Sequence, residues 1–441
     1  MIPTPSPGSA QPARGAVPGR TGPWLLAAVG LAVLALACTS GAAPRSGSDG
    51  ASVLGSGLAT PERDGAASPK PGVDTAASRP PLATPVTTIP APHATSAASP
   101  TPAPAGSSGR LAQALAWAPP GTREIAFTDW AALRAAVGAD DVTSASPLRD
   151  KLPLMRATSG REAIASGFAV SFLREHASDW GWDSFDLDWE ARFSDGGPPL
   201  YLLRFRDGTD LRRVAARFDA RGFRSALVGG ATLRSHLLSP DAGWLGTTEF
   251  AILNTAFLAD GRTLLLSSDG DQVRAALGSL ASPRPVPPQL ARLASALDGS
   301  TAALLVMGTD ACLGYDPERL PLLEADVARR LRRELDEAGP LGAYAAHGVG
   351  YSRAWPTIGR FAFVYDDPAA AAADLAGRRL LATGGTSVLT GQPYEETAFR
   401  VERATAADGL LELSVDPTAD RPGRLFAMLA ARDLTFGACR E

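Results

Sequence analysis

Lysine, histidine and cysteine are scarce in this chain of 441 residues. Its only lysines are Lys70 and Lys151; all other cationic side chains are arginines, and the formal net charge is −4. A chain with that balance has nothing to draw it to nucleic acid or another polyanion. The four histidines, His93, His176, His236 and His347, stand far apart, with no HExxH and no paired-ligand spacing. Neither Cys312 nor Cys439 has a cysteine or histidine at metal-ligand distance along the chain, so zinc is not expected. The nucleophile elbow GxSxG, the phosphate loop GxxxxGK[ST] and the dinucleotide fingerprint GxGxxG are missing as well. No catalytic, cofactor-binding or metal residue is therefore expected.

Long apolar runs are missing too, with one exception. Between Arg20 and Cys38 the chain is apolar from Trp24 to Ala37, too short for a comfortable membrane-spanning helix and right for the core of an export signal. The end of that run, Leu34-Ala35-Leu36-Ala37-Cys38, resembles the lipobox of bacterial lipoproteins. It departs from the commonest form by having Ala35, not Leu, three residues before the cysteine. The resemblance implies a signal peptide over residues 1–37, cleavage before Cys38, and a diacylglyceryl group on the Cys38 thiol. The protein would then sit on the extracytoplasmic face of the cell membrane, held by its N-terminal lipid. An uncleaved anchor and a plain secretory signal cut after Ala37 are the alternatives. With Cys38 lipidated, Cys312 and Cys439 remain, an even number in an oxidising compartment, and a disulfide between them is predicted.

Residues 38–109 are Ala, Pro, Ser, Thr and Gly with scattered charges and almost no large apolar side chain. Such a segment cannot bury enough surface to offset the entropy of ordering it. It reads as a disordered tether, on the order of 50 Å across as a coil and up to about 200 Å when stretched.

From residue 110 onwards the pattern becomes that of a folded protein, and it is said twice. The stretch AFLADGRTLLLSSD (256–269) is echoed by ATAADGLLELSVD (404–416), each an Ala-Asp-Gly turn entering an apolar strand that ends in an acid. The echo extends backwards. Strands at 124–127, 185–191 and 200–205, helices at 162–177 and 210–221, a short strand at 223–228, the hairpin 250–258/263–267 and a helix at 272–280 make the first half. Strands at 302–307, 344–351 and 360–365, helices at 320–338 and 369–378, a short element at 380–382, the hairpin 399–404/410–415 and a helix at 424–432 repeat that order. Residues 127–160 read as an insertion. Asp-Gly turns join antiparallel neighbours. The expected fold is α+β: two tandem similar units, 110–299 and 300–441, each a mainly antiparallel sheet with helices packed on one face. A groove between two such units is a favoured place for a ligand.

Three clusters were candidates for chemistry. His176 continues the apolar stripe of Ile164, Phe168 and Phe172 and is expected to be a core histidine. In DWGWDSFDLDWE (179–190) the acids suggest calcium and the tryptophans a sugar platform. The spacing lacks the glycine of a calcium loop, and an amphipathic strand is the simpler reading, with Phe185, Leu187 and Trp189 inward and Asp186, Asp188 and Glu190 in water. The run RRLRR (329–333), flanked by acids, reads as a solvated helix with i,i+4 ion pairs.

The expectation is a lipid-anchored, extracytoplasmic protein without catalysis or cofactor, whose α+β domain binds an unknown protein or small-molecule ligand. A solute-binding lipoprotein of an importer is the alternative, and an envelope hydrolase a further one. The hairpin-linked antiparallel pattern speaks against the importer, whose lobes are wound from βαβ units.

Overall fold

A computed structural model describes residues 109–158, 173–237, 250–281, 285–312, 325–352, 357–417 and 424–440. The lipobox, Cys38 and the tether lie outside them, as do residues 162–172 and 320–324 of two expected helices. Residues 98–441 form one compact unit.

The first half contributes α1 (Arg110–Leu115), β1 (Glu124–Thr128), α2 (Trp130–Ala136), α3 (Leu148–Ala157), α4 (Leu173–Trp180), β2 (Leu187–Ser194), β3 (Leu200–Phe205), α5 (Leu211–Ala220), β4 (Arg224–Val228), β5 (Ala231–Ser235), β6 (Asn254–Phe257), β7 (Thr263–Ser267) and α6 (Gly270–Ala281). The second contributes α7 (Pro288–Ala296), β8 (Ala302–Met307), α8 (Ala325–Ala338), β9 (Ala346–Ser352), β10 (Ile358–Val364), α9 (Pro368–Gly384), α10 (Tyr394–Thr397), β11 (Phe399–Ala407), β12 (Leu410–Pro417) and α11 (Arg424–Ala430).

All twelve described strands belong to one sheet, in the order β11-β12-β10-β9-β8-β1-β2-β3-β7-β6-β5-β4. Every pairing in it is antiparallel. The fold is α+β, but the halves do not keep a sheet each. Strands β1 and β8 pair directly, with Ile125 opposite Leu305 and Phe127 opposite Ala303. Both strands are apolar on both faces and bury nearly all their residues, so neither can stand at an open edge. Counted outward from this seam, the order runs 1-2-3-7-6 on one side and 8-9-10-12-11 on the other. The β4–β5 hairpin lies beyond that shared order.

Helices cover both faces, not one. On one face α1, α6 and α7 pack over Ile125, Phe193, Leu202, Leu265 and Leu305. The opposite face carries two further cores. Helices α2, α3 and α5 cover Leu203, Phe205, Leu264 and Leu266, and α8, α9 and α11 cover Val349, Phe361, Phe363 and Leu413. Strand β9 admits α7 closely because it has glycine where α7 crosses. A Cβ on Gly348 would lie 2.8 Å from Leu297, and one on Gly350 2.6 Å from the Ser300 hydroxyl.

Local chemistry sets several boundaries. The Asp210 carboxylate accepts from the backbone of Arg212 and Arg213 to start α5, and Asp367 does so from Ala369 to start α9. Helix α5 ends as Gly222 takes φ +79° and the Phe223 amide donates back to Phe218. Asp408 (φ 50°) and Gly409 (φ 72°) make the tight turn of the β11–β12 hairpin. The Asp260-Gly261 connection is wider than a two-residue turn, running from the end of β6 at Phe257 to Thr263. There the Asp260 carboxylate accepts from the amides of Arg262 and Thr263. The short element expected at 380–382 is instead the last turn of α9, an alanine-rich helix that continues to Gly384.

Candidate functional site

The residues singled out in the sequence do not converge. Among the described residues no group of acids, histidines and cysteines is placed to hold a metal. His176 is fully buried, meets Trp182 edge-on, and is pushed down to about 3 by burial. His347 is buried in β9 between Tyr344 and Phe363. Burial, and then the charge of Arg378, push it down to about 3. His236 lies beside Phe223.

The segment 179–190 is not the expected amphipathic strand. Ser184–Asp186 is a turn of 3₁₀ helix, and a register shift between Leu187 and Trp189 sends those side chains into cores on opposite faces. Asp183, Asp186 and Glu190 are buried. Asp183 receives the Lys151 ammonium at 3.0 Å and the Phe185 amide at 2.8 Å. Burial raises its pKa to about 6 although Lys151 pulls the other way. Asp186 accepts from the amides of Ser144 and Asp183. Asp183 and Asp186 thus fasten Lys151 of α3 and the segment before it.

The arginine run of α8 makes contacts both within the helix and to neighbouring segments. Arg329 pairs with Asp326 one turn back. Arg330 donates to the Gly391 carbonyl, and Glu334 accepts from the amide and hydroxyl of Thr386. A second buried network surrounds Arg378, which donates to Asp374, the Tyr365 hydroxyl and the carbonyls of Phe436, Ala438 and Gly342. Beside it Cys312 and Cys439 form the expected disulfide, with Cα atoms 5.7 Å apart. A network so closed has no room for a substrate.

Open space among the described residues includes a hollow of about 610 Å³ between the start of α5 and the Phe257–Gly261 connection, and a smaller one at the seam. Beyond the start of β1 and the end of β8 is a cavity of about 360 Å³. One wall is the loop 116–123, where Pro119-Pro120-Gly121-Thr122 forms a turn. Gly121 takes φ +84°, and the Thr122 amide and hydroxyl both donate to the Pro119 carbonyl, as a type II turn requires. The facing wall is Pro285-Val286-Pro287, the link between the two halves, with Leu290 of α7 behind it. Leu115 and Met307 line it from α1 and β8. Arg123 is the ionisable residue lining it, and its backbone is locked in place: its amide donates to the Ser194 carbonyl, and its carbonyl accepts from Met307.

The cavity's chemistry follows from its proline content. Pro119, Pro120, Pro285 and Pro287 carry no N–H, so these walls present C–H groups and carbonyls but few donors. A space of that kind suits an apolar chain with one polar end better than a sugar or an amino acid. Two neighbouring hollows, of about 330 and 410 Å³, also touch α1. Helix α1 thus sits among three cavities. None of the residues lining this cavity was among the candidates in the sequence. The Pro-Pro-Gly-Thr turn and the Pro-Val-Pro link were the signals for them.

No protein-family model matches the chain, and no curated protein sequence does. Among solved structures, crystal form I of TP0453 is similar with a TM-score of 0.35 and 9% identity, covering 73% of this chain and 97% of that one. Crystal form IV of TP0453 gives 0.37 and 9%, over 72% and 96%.

Proposed function

We propose that this protein is a lipid-anchored, extracytoplasmic binding protein without catalysis, whose seam cavity takes an apolar chain carrying a polar or anionic end. The observation that carries the reading is the cavity itself: apolar, poor in donors, and bordered by one arginine. The lipobox-like signal ending at Cys38, the tether of residues 38–109 and the Cys312–Cys439 disulfide support an oxidising compartment outside the cytoplasm. No helix among the described residues is long and apolar enough to cross a membrane. Catalysis finds no support in the histidines, which are dispersed, or in the buried acids, which are engaged with backbone and with Lys151. An importer's solute-binding protein needs two parallel-wound lobes about a cleft, and a single antiparallel sheet does not favour that reading.

The test is to purify the full chain from membranes and weigh it intact under native conditions. The reading expects Cys38 to carry a diacylglyceryl mass, and Cys38→Ala to release the protein from the membrane fraction. It also expects a non-covalent adduct of lipid mass that organic extraction removes. Unchanged membrane retention of Cys38→Ala counts against the anchor, and an adduct-free chain counts against the ligand.

A further inference from the structure

The two edges of the sheet are treated differently. Strand β11 carries a bulge between Val401 and Arg403, bears Arg400, Glu402 and Arg403, and has α9 and α10 packed alongside. Charge, bulge and a covering helix are the usual protections of an edge. Strand β4, at the other end, has a continuous register without a bulge and only one charge. Arg224, Ser225, Ala226 and Leu227 are all exposed, Leu227 to 79%. The strand has no proline or bulge, and its single charge is Arg224. The hairpin it belongs to lies outside the strand order that the two halves share; its inner strand β5 buries Ala231 and Leu233 in the core, while β4 stays outside it apart from Val228.

The turn fixes which backbone groups of β4 face outward. Gly229 (φ 57°) and Gly230 (φ 82°) form a two-residue turn between Val228 and Ala231. The pair flanking such a turn exchanges both hydrogen bonds, and alternate pairs follow. Val228, Ala226 and Arg224 therefore bond to Ala231, Leu233 and Ser235 of β5. The N–H and C=O of Ser225 and Leu227 point away from the sheet.

We infer that β4 is an interface between two copies of this chain, paired antiparallel about a twofold axis at Ala226. In that register Ser225 of each copy lies opposite Leu227 of the other. The outward groups of both residues are satisfied in four hydrogen bonds. Ala226 meets its own counterpart, and Arg224 meets Val228, so no like charges face each other. A slip by one residue sets outward-pointing groups against inward-pointing ones and breaks the ladder. The contact is isologous and closes on itself. Five residues make a short ladder, which places the dimer in the weak, concentration-dependent class.

The experiment is light scattering on the full chain in detergent over a concentration series, with three variants. A monomer–dimer equilibrium is expected. Leu227→Pro removes an outward donor and leaves the bonds to β5 intact, so it should yield a monomer whose melting temperature stays within a few degrees of the parent. Ala226→Cys should give a disulfide-linked dimer on mild oxidation, above the background of the parent's own cysteines, and Arg224→Cys should not. A monomer at every concentration with no Ala226→Cys cross-link overturns the proposal, as does a dimer unaffected by Leu227→Pro. Vesicle binding by a strictly monomeric chain, lost in Leu227→Pro, would assign the hairpin to a membrane contact instead.

Discussion

Arg378 donates to the carboxylate of Asp374, one turn earlier in α9, and both side chains are buried. The remaining guanidinium hydrogens reach the carbonyls of Phe436 and Ala438, so one cation holds the C-terminal segment against α9. Replacing it by methionine keeps the bulk but leaves Asp374 a buried anion supported only by the Tyr365 hydroxyl and the Gly342 amide. Arg378→Met should cost about 3–5 kcal/mol in urea unfolding. The double variant Asp374→Leu/Arg378→Met should cost less than the sum of the two singles. Additive losses would show that the pair is not coupled.

Gly377, one residue before, gives a prediction whose sign opposes ordinary helix propensity. Glycine to alanine inside a helix normally stabilises by about 0.5–1 kcal/mol. At Gly377 a Cβ would fall 2.6 Å from the carbonyl oxygen of Ala338, a backbone atom at the end of α8. Gly377→Ala should therefore destabilise by about 1–3 kcal/mol. At exposed Gly384, where nothing lies within 4 Å, the same change should be neutral or stabilising. Thermal melts of the two variants side by side decide it.

Acid should loosen the protein through its buried histidines. Burial holds His176 and His347 at about 3, against 6.5 when unfolded. Their contribution is fully present above pH 6.5 and is lost as pH falls toward 3, because the unfolded chain takes up protons that the folded one refuses. At pH 5 the loss is about 2 kcal/mol per histidine. Asp183 works in the opposite direction. Its folded pKa of about 6 lies above the unfolded 3.8, so this group adds stability as pH falls between those values. Urea titrations at pH 7.5 and 5 should show a net loss, smaller by about 2 kcal/mol in His347→Phe. An unchanged pH dependence in that variant would contradict the assignment.

Much of the fold was legible because local chemistry and packing agreed. Asp210 caps the helix read from residue 210, Asp367 the one read from 369, Gly222 follows the end read at 221, and Asp408-Gly409 turns the second hairpin. The disulfide followed from cysteine arithmetic and compartment. What was not legible depended on partners far along the chain. Nothing in β1 or β8 alone says that their apolar edges will close on each other across almost two hundred residues. Leu187 and Trp189 are two apart and looked like one face, but the bulge between them is set by the pairing of β2 with β3. Strand β5 was overlooked although Ala231 and Leu233 alternate with Thr232 and Arg234, because five residues are too short a run to stand out. The Gly229-Gly230 pair was the signal for that hairpin. The candidate cavity was hidden for a related reason: its walls are connecting segments, where periodicity carries no information.

If the seam cavity takes an apolar chain, Val286, half-buried in its wall, is where a charge should disturb it. The full chain is titrated with a fluorescent long-chain fatty acid, alongside Val286→Asp, with a thermal melt to show that both fold. Saturable binding at one site per chain is expected, weakened at least tenfold in Val286→Asp by a carboxylate placed in an apolar wall. Absence of saturable binding, or equal affinity in the two proteins, would contradict it.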